Sequence, residues 1–234
     1  MRSLFLISLL MIAFNSGFAQ TKGSYTVDLN AFAFGTGHNS AEWINFSKNA
    51  DTEGSQFLEE FWSPGTLILK NDTLVQGIDY RYNIYARQMQ LRTLKDTLMI
   101  SHPEKVKVLN FNNRTFIYGP FVKEELSAND YFEVLAQGNC NLLLRREVTF
   151  VPKNPPVTPY SVGYENNRFI LHQELYLQRT GSPAFFTKAT KKSILAYLND
   201  HQEELKSYIK KEKIRFNDNN SLVKLIKYYN SLVE

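Results

Sequence analysis

Residues 77–84 read Gly-Ile-Asp-Tyr-Arg-Tyr-Asn-Ile, so that Ile78, Tyr80, Tyr82 and Ile84 fall on one side of an extended chain and Asp79, Arg81 and Asn83 on the other. A helix would spread the four apolar side chains around its circumference. The stretch therefore predicts a β-strand with one face buried and the other turned to water.

Working outward, Ser63-Pro64-Gly65 punctuates the chain, and residues 66–70 and 73–76 predict a hairpin around Asn71-Asp72. Short candidate strands then follow at near-regular spacing: 88–92 with Met89 and Leu91 inward, 97–100, 105–110, and 114–118 after an Asn112-Asn113 turn. Residues 131–135 and 142–150 flank a Gly138-Asn139 turn, and in the second of these Leu142, Leu144, Val148 and Phe150 share a face. This spacing predicts an antiparallel meander of seven or more strands, and a sheet of that width twists and curls. Pro152, Pro155, Pro156 and Pro159 predict an extended crossing segment, followed by a hairpin over 164–178 turning at Asn166-Asn167.

Past residue 179 the period changes. Ile194, Leu198, Leu205 and Ile209 recur at helical spacing over 190–213, as do Leu222, Leu225, Ile226, Tyr229 and Leu232 after a cap at Asn219 or Asn220. Both stripes are amphipathic, and the inward face of the sheet is the partner they call for. The fold class expected is α+β: a strongly curved, half-barrel-like antiparallel meander followed by two C-terminal amphipathic helices. One globular domain is divided into a poorly defined segment 20–62, a sheet region 63–178 and a helical region 179–234.

Residues 1–19 read as a cleavable secretory leader. Arg2 supplies a basic start, residues 4–14 are apolar or small except for Ser8, and Gly17 and Ala19 stand where a signal peptidase requires small side chains. The run is far shorter than the roughly 20 apolar residues that cross a bilayer. The reading is an exported protein, periplasmic or extracellular, without a transmembrane segment in the mature chain. Loss of Arg2 with the leader leaves 26 basic against 23 acidic residues, and the lysines of 206–215 are interleaved with Glu203, Glu204 and Glu212. That pattern is a solvated helix face, so no nucleic-acid partner is expected. Cys140 is the only cysteine; it excludes an intramolecular disulfide and lies in a turn-like stretch with no histidine near it in sequence.

Motifs of known chemistry are missing. His38, His102, His172 and His201 are far apart, and the chain has no Gly-x-Ser-x-Gly, no phosphate loop and no His-Glu-x-x-His. No catalytic residue, metal ligand or cofactor is assigned. Glu59 with Glu60, and Asp130 with Glu133, are the carboxylate pairs that an acid–base mechanism would draw on, and a solvated surface is the simpler account of both. The candidate ligand surface is Asp79, Arg81 and Asn83, an acid, a base and an amide on one strand face, with cross-strand pairing as the structural alternative.

From Phe57 onward the chain resembles a group of small uncharacterised signal-peptide-bearing secreted or periplasmic proteins of Gram-negative, Bacteroidetes-type bacteria. The shared features are Gly65 with Gly77, Arg81-Tyr82-Asn83, residues 131–135 followed by Gly138 and Leu142-Leu143, residues 205–209, and Tyr228-Tyr229-Asn230. The resemblance implies an architecture and no activity. The function expected is a non-enzymatic binding or envelope-associated interaction protein whose partner is an envelope protein, lipid or glycan. The alternatives are a carrier of a lipid or other apolar ligand, and a hydrolase with an unrecognised site.

Overall fold

The structure is a computed structural model that describes residues 34–36, 52–93, 97–154, 158, 163 and 165–233. The expected leader, His38, and Pro155, Pro156 and Pro159 lie outside these residues.

Twelve strands join in one hydrogen-bonded sheet: β1 (Phe34–Thr36), β2 (Thr52–Glu53), β3 (Ser63–Leu69), β4 (Leu74–Asn83), β5 (Gln88–Arg92), β6 (Thr97–Ile100), β7 (Val106–Phe111), β8 (Arg114–Lys123), β9 (Leu126–Ala136), β10 (Cys140–Val151), β11 (Asn167–Arg179) and β12 (Ala184–Phe186). Three helices follow, α1 (Lys191–Tyr197), α2 (Gln202–Lys211) and α3 (Asn219–Leu232). The α+β class and the curved, largely antiparallel sheet agree with the sequence pattern. Among the described residues no helix is long and apolar enough to cross a membrane.

The sheet has two parts. Strands β1-β6-β5-β4-β3-β7-β8 run side by side, every neighbour antiparallel. Strand β8 then pairs with both β9 and β12, and β9-β10-β11-β12 complete a ring of five strands that returns to β8. One edge of β8 is divided between the two parts: its first residues pair with β7, and Phe121 and Val122 pair with β12. Pro120, which has no N–H to donate, sits between those two contacts.

Each part has its own core. The concave side of the open part gathers Leu67, Tyr80, Tyr82, Met89, Leu91, Leu109, Phe111 and Phe116 with their neighbours. The ring interior holds one large or small apolar residue from each strand: Phe121, Phe132, Leu143, Tyr176 and Ala184. The ring's outer face, through Leu142, Leu144, Leu175 and Leu177, receives the helices' Ile194, Leu205, Ile209, Leu222, Leu225 and Ile226. Burying each such side chain is worth about 1.5–3 kcal/mol, so the three clusters carry most of the stabilisation.

The helices thus pack outside the ring, not against the concave aromatic face that their apolar stripes suggested. Strand β10 explains why. Leu142, Leu144, Val148 and Phe150 do share a face, but the first two join the helical core and the last two the open-sheet core. Arg146 stands between them.

Two glycines are required by geometry. A Cβ on Gly65 would lie 2.4 Å from the Asn110 carbonyl oxygen and 2.8 Å from Phe111, so only glycine lets β3 and β7 pair. Gly77, at φ +74°, is in the left-handed region at a bulge where β4 uses three steps against two on β3. That bulge lets residues 74–83 run as one strand where the sequence suggested two.

Other expectations are corrected. Residues 167–179 form a single strand paired along its length with β10, not a hairpin turning at Asn166-Asn167. Within the segment 20–62, which the sequence left poorly defined, residues 34–36 form β1 and 52–53 form β2. The helix expected over 190–213 is broken into α1 and α2, because His201 takes a left-handed conformation (φ 52°) and the Gln202 side chain donates to the Leu195 and Leu198 carbonyls at 2.6 and 2.7 Å, closing α1. The cap of α3 is Asp218, accepting from the Asn220 and Ser221 amides. Asn230, buried on α3, accepts from the Cys140 N–H at 2.8 Å and donates to its carbonyl at 2.9 Å, and its amide fills the space where a Cβ of Gly138 would be. Two of the short motifs behind the resemblance therefore meet as a structural clasp.

Candidate functional site

The register of the open part determines which polar side chains share its solvent face. Trp62 precedes β3, Ser63 pairs with Tyr80, and Asp79 pairs with Pro64 on one side and Arg92 on the other. Thr66 pairs with Asn110, and Asn110 with Thr115. Alternation places Asp79, Arg81, Arg92, Thr66, Asn110 and Thr115 on one continuous polar surface opposite the concave core.

Of the candidate residues, Asp79 and Arg81 lie on this surface. The Arg81 guanidinium stacks 3.7 Å from the Phe57 ring centre and 4.4 Å from that of Trp62, and donates to Gln90 Oε1 at 3.2 and 2.9 Å. Burial lowers the Arg81 pKa from its ordinary value; Glu60 opposes that shift and Arg92 adds to it. Arg92 lies 5.1 Å from the Trp62 ring and donates to Asp79 Oδ2 at 2.8 Å. Asn83 is elsewhere. It is buried, donating to Gln56 Oε1 at 3.3 Å and accepting from the Ala86 N–H at 2.9 Å, and so closes the β4–β5 turn instead of facing a ligand. The parity of the strand puts Asn83 with Arg81, but the preceding segment crosses over it: Leu58 N–H donates to Tyr82 O, and Ile84 N–H to Gln56 O.

Beside the Trp62 shelf an open cleft of about 620 Å³ runs between residues 63–66 and 110–115. Asn112 and Asn113 form its turn, both left-handed (φ 49° and 56°), a geometry that asparagine tolerates well. Thr115 donates its hydroxyl to Asn110 Oδ1 at 2.8 Å. Arg114 is held by Glu133 at 3.0 Å and Glu59 at 3.5 Å, and Asn112 donates to Glu59. A second, more apolar cleft of about 780 Å³ lies beside Phe185, Phe186 and Tyr197.

The carboxylate pairs do not converge. Glu60 accepts from the Ser55 hydroxyl, while Glu59 turns to Asn112 and Arg114. Asp130 and Glu133, an odd number of residues apart, face opposite sides of β9: Asp130 enters the ring beside Arg145 at 2.8 Å, and Glu133 pairs with Arg114 and Arg146 outside it. Sequence reasoning did not anticipate the ionic cluster in the ring, formed by Arg145, Asp130, Glu147, Glu174, Lys123 and Arg87. The signal was present in Arg145-Arg146, two charges inside an otherwise apolar strand.

Three cations meet three carboxylates there. Arg145 bonds Asp130, Glu147 at 3.1 Å and Glu174 at 3.3 Å; Lys123 and the Tyr176 hydroxyl also bond Glu174, and Arg87 reaches Glu147 at 2.8 Å. Burial works against the charged forms of Glu147 and Glu174. It is outweighed for Glu147 by Arg145 and Arg87 and for Glu174 by the bonds from Lys123 and Tyr176 and the charges of Lys123 and Arg145, so both stay below the ordinary carboxylate range. Glu147 and Glu174, held in the charged form by these partners, help tie the ring together, and neither is poised to exchange a proton near neutral pH.

Burial pushes the Cys140 thiol up to about 12, so it is no nucleophile. His102 and His201 pair with Glu104 and Glu204, and His172 lies exposed on β11. Compared with known family models, curated proteins and solved structures, the chain matches none.

Proposed function

We propose that this is an exported, non-enzymatic binding protein of the cell envelope whose ligand surface is the solvent face of β3, β4 and β5, with Trp62, Arg81 and Arg92 at its centre. The observation that carries the reading is the aromatic–guanidinium shelf: Trp62, partly buried under two arginines, with Phe61 60% exposed beside it. Tryptophan and arginine are the side chains that most often anchor binding interfaces, and an exposed phenylalanine at the edge of a polar face has no structural use. The leader-like residues 1–19, and the resemblance to secreted and periplasmic proteins, support export.

The carrier alternative draws on the cleft beside Phe185 and Tyr197. The core aromatics that a lipid pocket would need are packed against one another instead, as in Phe111 on Phe116 at 5.0 Å and Tyr82 on Tyr131 at 5.6 Å. The hydrolase alternative lacks a convergent acid and base among the described residues.

The test is gentle purification from envelope extract, with co-purifying material identified by mass spectrometry, for the native protein and a Trp62→Ala/Arg92→Ala variant of equal melting temperature. A molecule retained by the native protein and lost from the variant is expected. Equal retention by both, or retention lost only on altering Phe185 and Tyr197, contradicts the assignment.

A further inference from the structure

We infer that the cleft between residues 63–66 and 110–115 binds a neutral, hydroxyl-rich glycan, an inference that rests on the binding-protein reading and gives its ligand a chemical class. The cleft's polar side chains are of the type that recognises sugars. Asn110, Asn113 and Thr66 present amides and a hydroxyl, groups that both donate and accept, and adjacent sugar hydroxyls need both from each partner. The Thr66 hydroxyl, the Asn113 amide and the Asn110 Nδ2 have no protein partner among the described residues, while Thr115 fixes Asn110 by donating to its Oδ1.

Arg114 is the only cation in the cleft's lining, and both Glu59 and Glu133 neutralise it. A phosphate or sulfate would have to displace those carboxylates, whereas a neutral ligand would not.

The cleft is open along its length, which suits a chain passing through better than a small molecule enclosed on all sides. Trp62, next in sequence to Ser63, extends the same surface toward the Arg81 shelf.

The asparagines of the turn have a structural use as well, since φ is positive at both. The test separates the two roles. Asn113→Gly keeps the left-handed turn, because glycine adopts φ near +56° more readily than asparagine, and removes only the amide. Thr66→Val keeps the shape of the side chain and removes the hydroxyl.

The native protein is screened against immobilised neutral oligosaccharides built from glucose, galactose, mannose and N-acetylhexosamines, each with its sulfated or phosphorylated analogue, and titrated calorimetrically with any that binds. Saturable binding to a neutral member is expected, weakened about tenfold or more by Asn113→Gly with Thr66→Val at unchanged melting temperature; a tenfold loss is about 1.4 kcal/mol. No binding at about 1 mM, equal binding by the variant, or preference for the charged analogues overturns the glycan assignment. Envelope material still captured through Trp62 and Arg92 in that event leaves the binding-protein reading standing; capture by neither surface overturns both.

Discussion

The two parts of the sheet use the same kind of strand in opposite ways. In the open part, β3, β4 and β5 bury one face and leave the other in water, and Asp79, Arg81, Arg92, Thr66 and Asn110 occupy that free face. In the ring, residues 142–146 of β10 and 175–177 of β11 are covered on both faces, by Phe121 and Phe132 inside and by the helices or the open sheet's core outside, so the polar residues among them are committed to ion pairs. The difference teaches where a ligand has room. Charged groups in the ring are balanced three against three around the buried Arg145–Asp130 pair, while the open part keeps amides, a hydroxyl and an aromatic–arginine shelf exposed. On this account the ring holds the fold and the open face binds.

The largest effect that would break this division is loss of Arg145. With its side chain 4% exposed and that of Asp130 1% exposed, Arg145→Ala leaves the buried Asp130 carboxylate with only the more distant Arg87, at 3.9 Å, and is expected to cost about 3–5 kcal/mol in urea unfolding. Combined with Asp130→Ala, the loss should fall short of the sum of the two single losses, because they share one interaction. A cost below about 1 kcal/mol would place the ring's stability elsewhere.

A matched pair of leucines sharpens the contrast. Leu143 lies at the centre of the ring, enclosed on every side, and its replacement by alanine is expected to cost about 4–5 kcal/mol. Leu91, equally buried but on a strand near the edge of the open part, can be partly compensated by collapse of β5 and β6, with a cost of about 2–3 kcal/mol. Chemical denaturation of both variants checks the order.

A smaller effect is expected from acid. Glu147, Glu174 and Asp200 each titrate below their ordinary values in the folded protein: for Asp200, burial is outweighed by a hydrogen bond from Tyr229 and by Arg179. Their contribution is complete above the unfolded-state values and is lost as pH falls through the depressed folded ones, when the folded state must take up protons that the unfolded chain has already bound. The melting temperature should be flat from about pH 5 to 8 and fall below about pH 4. A maximum at acid pH would contradict the pairing described.

How much of this was legible follows from the same contrast. One-sided burial produces a period of two, so Ile78, Tyr80 and Tyr82 declared the open sheet and its buried face, and Asp79 and Arg81 declared the free one. Two-sided burial erases the period: Leu142 to Leu144 are all buried, in different cores, and nothing in that run reports that β8 turns from β7 to β12 and closes a ring. The three-residue strand β12 is too short to carry a pattern. Asn83 shows the limit of alternation even where it is strong, since a segment 27 residues earlier in the chain covers it and converts a surface amide into a turn clamp. The cleft was missed because Asn112-Asn113 read fully as a turn; only the register places them beside Thr66 and Asn110.

Native-state hydrogen exchange of the free protein tests the division most directly, because it reads the opening energy of each strand without a ligand. The account predicts that the amides of residues 142–146 and 175–177 exchange only by global unfolding, while those of 88–92 and 97–100 open at lower free energy. Slowest exchange in β4 and β5, with the ring opening first, would contradict it.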